Sequence, residues 1–391
     1  MNFLKNLLSI TAVVALAANL VSMDTSAVNV KITQVPAKYV RSVRTDYFDS
    51  AESLAGYVRE KMTARVRDIE FSVPADWDGR ETVSQVLRDS TAETDSSNQG
   101  DYLRKSINSV EYSIGQYEDN VTITFTVDYN TTAQQEEFTD KKISEILAGL
   151  DIENKGEYEK ISAIYTYIIN NVKYNLSAEG NLKYTAYGAL YNGEAVCQGI
   201  SQLFYRMAKE AGVSCRMIVG EAGGPHAWNI AEIDGLYYLL DPTFDLYFSK
   251  TDDCKYFLRG TEDFDDYNKK ISHVPASSEL ELSSLDYDYA SESFKSQYPV
   301  SDTKFVPKCK QGDLNNDGMT NADDASLILE AYAMLSTENS EILTETQKSV
   351  ADLNADGQIN SVDASMVLAY YAYISTEKYI EPNKFFEEKV I

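Results

Sequence analysis

Apolar residues return at helical spacing over 51–62, at Leu54, Ala55, Val58 and Met62, and the next patterned stretch, 69–73, alternates them as a strand does. A strand pair follows, because 110–114 and 121–129 both alternate apolar and polar positions. Between these, 91–100 is almost wholly polar and reads as an exposed loop. Together they predict a first, α+β region over 28–130, with no catalytic constellation in it. A second, mixed region spans 131–275. Helical spacing predicts helices over about 134–147 and 157–171. A third is predicted over 197–211, where Ile200, Leu203, Phe204, Met207, Ala208 and Ala211 make one apolar face and Gly212 ends the run. Strands then dominate. Asp234-Gly235 between two alternating apolar runs is a two-residue hairpin signal. With those two in the turn, His226 comes opposite Thr243, Trp228 opposite Asp241, and Asp241 lies diagonal to His226 on one face. Residues 276–310 are rich in Ser, Asp and Tyr, carry Pro299 and Pro307, and read as a linker. Residues 311–376 hold an internal repeat, and 377–391 form a short tail.

Composition and charge narrow the classes. The chain has 391 residues, room for two to four domains. Its 61 Asp and Glu against 35 Lys and Arg give a formal net charge of −26. Such a surface repels phosphate at long range, which argues against nucleic acid or anionic lipid as partners. The 43% apolar content is enough for real cores. At the N-terminus, Lys5 precedes an apolar run over 7–20, and small residues follow, ending in Thr25-Ser26-Ala27. This predicts a secretory signal over 1–27, with Ser22 as a second cleavage position, and export from the cell. No second apolar stretch reaches the length of a membrane span. The four cysteines, Cys197, Cys215, Cys254 and Cys309, are too few for a disulfide scaffold, and their pairing is left open.

The chain has two histidines, His226 and His273, so any imidazole chemistry must use one of them. Cys197 stands at the start of the predicted 197–211 helix. The free N–H groups and partial positive charge there favour a thiolate and would stabilise an oxyanion formed on an attacked carbonyl. The hairpin brings Asp241 within reach of His226, so that it can hold the imidazole tautomer, with Trp228 excluding water. Nucleophile, base and orienter follow as Cys197, His226 and Asp241. Cys215 reads as core, His273 as a surface residue, and Tyr191, six residues before Cys197, as a candidate oxyanion donor. The sequences GEAVCQG, HAWN and DPTFD resemble the transglutaminase-like superfamily, a papain-related fold, over roughly 130–275. That resemblance implies acyl transfer from an amide through Cys197, His226 and Asp241: hydrolysis if water accepts, cross-linking if an amine does.

The repeat carries a second chemistry. Asp313, Asn315, Asp317, Asn321 and Asp324 recur as Asp352, Asn354, Asp356, Asn360 and Asp363, with glycine at the sixth loop position. With the carbonyls of Met319 and Gln358 these are two twelve-residue calcium loops, since Ca²⁺ takes six to eight oxygens and this spacing wraps them about one point. A helix starting Ala-Ser follows each loop. No good helix precedes the first one, and Asp rather than Glu fills position twelve. The unit resembles a type I dockerin, which implies docking to a cohesin on a scaffold of the cellulosomal kind, through the helices starting at Ala325 and Ala364. Positions ten and eleven, the specificity positions of that family, are Ala322 and Asp323, then Ser361 and Val362. The repeat has 11 acidic residues and one basic residue, so metal binding and folding are expected to be coupled.

The expected architecture is an α/β (α+β) papain-like, transglutaminase-like core. An α+β N-terminal region precedes it, and a small all-α calcium-binding dockerin with two ions follows. The expected function is a secreted, scaffold-docked cysteine peptidase or acyltransferase acting on protein or peptide. A transamidating cross-linker and a catalytically silent binding component are the alternatives. No carboxylate pair points to glycoside hydrolysis.

Overall fold

The computed structural model describes residues 31–34, 46–117, 119–178, 180–248, 254–276, 287–306, 310–315, 319–338, 342–376 and 380–389. The expected signal over 1–27, Cys309 and the expected ligand Asp317 lie outside them. The chain divides into two units, Met1–Phe305 and Val306–Ile391.

The first unit opens with a five-stranded sheet. Its strands are β1 (Lys31–Gln34), β2 (Asp46–Tyr47), β3 (Asp68–Pro74), β4 (Ile107–Gln116) and β5 (Asn120–Tyr129), in the order β1-β4-β5-β3-β2. Central β5 runs antiparallel to both neighbours and buries Val121, Ile123, Phe125 and Val127, every second residue, as the alternation predicts. Helices α1 (Ala51–Thr63) and α2 (Gly79–Ser90) pack Leu54, Val58, Met62, Val83, Val86 and Leu87 onto that face. Asp78 starts α2 by accepting the N–H groups of Arg80 and Glu81, both at 2.9 Å.

A second core is built from α3 (Asp101–Ser106), α4 (Ala133–Leu150), α5 (Glu157–Asn171), α6 (Ala186–Tyr191) and α7 (Cys197–Glu210). Two short strands, β6 (Lys173–Tyr174) and β7 (Glu194–Ala195), pair in parallel just ahead of α7. A four-stranded antiparallel sheet follows, ordered β10-β9-β8-β11, from β8 (Cys215–Glu221), β9 (Pro225–Ile233), β10 (Leu236–Leu240) and β11 (Val274–Pro275), with α8 (Pro242–Phe248) leaving the end of β10. The hairpin turn is Asp234-Gly235, with φ of 53° and 82°, the left-handed pair that a two-residue turn requires.

Three expectations are corrected in this unit. First, α7 is buried on every side over its first twelve residues, not on one face. Its polar side chains are tied inward: Gln198 Nε2 donates to Lys105 O and Tyr184 O, Gln202 Oε1 accepts from Ala186 N, and Arg206 pairs with Asp140. Second, the polar run 91–100 is not an exposed loop but a lid on α7. Tyr205 O–H donates to Glu93, Lys209 Nζ to Thr94 O, and Ser97 Oγ to Glu210. Third, residues 287–306 are not a linker. Tyr287, Tyr289 and Phe294, the last on helix α9 (Glu292–Gln297), are core, and Tyr237 exchanges backbone hydrogen bonds with Pro299 and Ser301, both at 2.8 Å, which covers the β10 edge.

In the second unit, α10 (Ala322–Glu338) and α12 (Ser361–Thr376) pack through Ala325, Ile328, Ala364, Val367 and Tyr370. Between them lies α11 (Glu345–Ala351), started by a capping box of Thr344 and Gln347. The expected tail carries α13 (Pro382–Lys389), which buries Phe385 and Phe386 in the same core. Asn383 accepts Gln311 N–H at 2.8 Å, so the tail is part of the domain.

Candidate active site

Cys197 is the first residue of α7. Parallel pairing of β7 with β6 aims the chain into the helix, and Val196 is still extended (φ −96°, ψ 177°). No side chain caps the helix start, which leaves first-turn N–H groups available to an incoming oxyanion. Cys197 is 6% exposed.

His226 sits on β9 opposite Gly220 of β8. The β9–β10 register is the expected one, with Leu236 on Ile233 and Leu240 on Asn229. Asp241 then meets the imidazole, with His226 Nε2 2.6 Å from Oδ2. The expected pairing of Thr243 with His226 does not occur, because Pro242 turns the chain into α8. Asp241 Oδ1 instead accepts the N–H groups of Thr243 and Phe244, at 2.9 and 3.1 Å. Trp228 is fully buried and stacks on the imidazole, ring centroids 6.0 Å apart at 22°, and Phe244 lies 4.8 Å away.

Two hydrogen bonds set the helix against the strand. Ser201 Oγ, one turn along from Cys197, donates to the carbonyl of Ala227, beside His226, at 2.9 Å. Asn229 Nδ2 returns to Ser201 O at 3.2 Å. The HAWN motif thus supplies the base, its aromatic wall and the tie to the helix that bears the nucleophile.

Burial disfavours the His226 imidazolium, but the Asp241 carboxylate and then Cys197 outweigh it and push the ring up to about 10. Burial likewise disfavours the Asp241 carboxylate, yet His226 and then His273 hold it well below the usual range. His226 Nδ1 is buried, and on that side Cys197 favours the imidazolium by charge and by hydrogen bonding. With Nε2 committed to Asp241, Nδ1 is the atom left to take a proton from Cys197. Tyr174, on β6, is a neighbour that sequence reasoning missed. Burial, then negative charge at Cys197 and Asp241, push its phenol far up, so it stays a protonated donor near the nucleophile. One tyrosine among 28 carries no signal of its own.

The other expectations divide. Cys215 is core, on β8, and burial pushes its thiol up. Tyr191 is not an oxyanion donor: it is 63% exposed, stacks on Tyr187 and meets Phe138 edge-on. His273 is not a surface residue. It is buried, with Nε2 3.1 Å from Asp241 Oδ2. His226, Asp241 and His273 form a set of potential metal ligands, with donor atoms within 4.8 Å of one another. A tetrahedral zinc would hold such N and O atoms about 3.3 Å apart; the 2.6 Å contact is a hydrogen bond.

In the repeat, Asp324 accepts N–H groups from Leu314, Asn315 and Asn321, while Asp363 accepts those of Leu353 and Asn360. Asp352 receives the N–H groups of Asp356 and Gly357, and Asn360 that of Val362. Each loop is thus curled about its own carboxylates. Asp313, Asp324 and Asp363 are buried, and among the described residues no Lys or Arg pairs with Asp363. An all-oxygen donor set that includes buried carboxylates fits a hard divalent cation such as Ca²⁺.

Comparison with known proteins follows the same division. Residues 145–242 match the transglutaminase-like superfamily, and residues 311–370 match the dockerin type I domain. The chain carries a transglutaminase-like domain followed by a type I dockerin. The transglutaminase-like domain holds Cys197, His226 and Asp241, and the dockerin match holds both loops. Kyphoscoliosis peptidase of Mus musculus and of Homo sapiens are each 26% identical over 118 residues, 26% of this chain and 18% of the relative. The chain therefore spans about a fifth of the length of these curated relatives. A crystal structure of a TGase aligns over 48% of this chain and 53% of that one, at 16% identity and a TM-score of 0.28. Among the described residues no helix is long and apolar enough to cross a membrane.

Proposed function

We propose that the transglutaminase-like domain is a cysteine-dependent amide hydrolase or acyltransferase acting on protein or peptide, and that the dockerin tethers it to a cohesin outside the cell. The observation that carries the first part is the buried His226, bound to Asp241 through Nε2 and interacting with Cys197 by charge and hydrogen bonding. Cys197 gives its proton to Nδ1, and Sγ attacks the amide carbonyl carbon. The carbonyl oxygen takes the negative charge and is met by N–H groups at the start of α7. His226 passes its proton to the departing amine as the C–N bond breaks, leaving a thioester. Water then attacks, gives a proton to His226, and releases acid and thiolate. An amine in place of water gives transamidation by the same steps.

The test is site-resolved alkylation of Cys197 by iodoacetamide across pH, in wild type and His226→Ala, followed by an amide-substrate screen with Cys197→Ala as control. Alkylation that slows at least tenfold near neutral pH without His226 supports the triad. Identical profiles in the two proteins sink it and favour a silent binding module.

For the dockerin, the reading is two calcium ions. Asp313, Asn315, Asp317, Asn321, Asp324 and the Met319 carbonyl would hold one. Asp352, Asn354, Asp356, Asn360, Asp363 and the Gln358 carbonyl would hold the other. Calcium would neutralise the loop carboxylates and fix the helices. Leu329 and Tyr332 recur thirty-nine residues on as Leu368 and Tyr371, and all four are exposed, which supports apolar docking to a cohesin. Binding of a cohesin panel with and without chelator tests this. The secretory signal expected from the sequence and the type I dockerin together support an extracellular, cellulosome-associated location.

A further inference from the structure

His273 is built into the site more deeply than a packed side chain needs to be. Its Nε2 meets the same Asp241 oxygen that His226 uses, at 3.1 Å against 2.6 Å. On the other side, Nδ1 lies 2.6 Å from Asp265 Oδ1, and the His273 backbone N–H donates to Asp265 Oδ2 at 2.9 Å. Both ring nitrogens therefore face carboxylates. Phe264, Phe244 and Trp228 wall the ring at 4.4, 4.9 and 5.1 Å. Its approach depends on one residue. Strand β11, directly after His273, runs so near β8 that a Cβ on Gly220 would stand 2.1 Å from the Val274 carbonyl oxygen. That same glycine pairs with His226 on its other edge.

The count of donors on Asp241 is informative. Oδ1 accepts from Thr243 and Phe244, and Oδ2 from His226 and His273. An ionised carboxylate has about four acceptor sites, so this one is full. It cannot rotate, and its charge on Oδ2 is divided between two imidazoles. That division matters because His226 must first accept a proton from the thiol and then release it to the leaving amine. A base held too firmly in its charged form takes the proton and keeps it.

We propose that His273 is a positioning residue of this site, which acts through Asp241 and, by sharing Oδ2, limits how tightly the carboxylate holds the His226 proton. The proposal rests on the triad reading above. Other titratable groups around the pair are Cys197 at the start of α7, Tyr174 on β6, Asp245 on α8, and Tyr256 and Asp265 in the segment after α8.

The experiment uses the full chain and follows Cys197 alkylation from about pH 5 to 11, spanning the ordinary thiol value and the raised His226, with a thermal melt for each protein. The variants are His273→Phe, His273→Gln, Asp265→Asn and a packing control, Phe264→Leu, alongside His226→Ala. The alkaline inflection marks loss of the His226 proton. It is expected to rise by about half a pH unit or more in His273→Phe, where a competing donor is gone. A smaller rise of the same sign is expected in Asp265→Asn, whose side chain is partly exposed. His273→Gln restores an N–H to Asp241 and returns the inflection toward wild type. Phe264→Leu lowers the melting temperature and leaves the inflection in place. Wild-type inflections in His273→Phe and Asp265→Asn, or shifts no larger than in the packing control, overturn the proposal. A wild-type profile in His226→Ala is a different result. It removes the triad itself, and the role of His273 falls with it.

Discussion

At the residue scale the His226–Asp241 pair makes a stability prediction as well as a chemical one. Asp241 is held low, so its contribution is present above its unfolded value of about 4 and is lost as pH falls through the still lower folded value. His226 is raised to about 10, so its contribution is full below its unfolded value of about 6.5 and is lost as pH rises through about 10. The melting-temperature difference between wild type and His226→Gln should therefore be largest near pH 5–6 and shrink toward pH 10. A difference that stays flat across that range would show that the imidazolium pair contributes nothing to the folded state. The pair was legible in the sequence because a hairpin register is a local property, fixed by Asp234-Gly235. His273 was not. It reaches Asp241 from 32 residues further on, through a strand of two residues, and no periodicity marks so short an element.

Among the elements, α7 shows what an amphipathic pattern conceals. Its apolar residues were read as the buried face, and so they are. The polar face is buried too, because α3, α4 and the segment 91–100 cover it and supply partners for Gln198, Tyr205 and Arg206. A polar side chain with a buried partner looks the same in sequence as one in water. The strongest of these devices is Asp101, fully buried, which accepts from Arg216 Nε at 2.7 Å, Met217 N–H at 3.0 Å and Arg104 Nη1 at 2.8 Å. Asp101→Asn leaves two buried guanidinium groups under-neutralised, and about 3–5 kcal/mol of stability should be lost; chemical denaturation of the first unit measures it. Ser201 is the contrasting case. Its hydroxyl ties α7 to β9 beside His226, so Ser201→Ala should cost only about 1 kcal/mol of stability. The misplacement of Cys197 against His226 should nonetheless slow the chemical step about tenfold or more. A turnover loss no larger than the stability loss accounts for would remove this tie from the mechanism.

For the whole molecule, the two units should respond separately to metal. Chelation should lower the melting temperature of the dockerin, where buried Asp363 has no Lys or Arg partner among the described residues, and leave the first unit's transition in place. Two transitions in calorimetry, one of them calcium-dependent, check this. Phe385→Ala should lower the dockerin transition as well, by about 3 kcal/mol, since that ring is 7% exposed in the repeat's core. Both loops were readable because calcium ligands must follow a fixed spacing. The packing of 287–306 and of α13 was not, because Ser, Asp and Pro there signal only a break in regular structure. What decides their place is a handful of aromatic residues: Tyr287, Tyr289, Phe294, Phe385 and Phe386.

The cover over α7 also bears on how this protein can be cut and recombined. The stretch that matches the superfamily starts at 145 and ends at 242, yet the carboxylate that neutralises Arg216 is at 101, and the segment that closes the β10 edge is at 299–301. A gene fragment trimmed to the matched stretch would carry an arginine stranded in its interior and a raw sheet edge, a recipe for inclusion bodies. The cassette to move intact into a fusion protein runs from the first sheet to Phe305. Fusions joined after residue 305 should express in soluble form, and those joined at 276 should not.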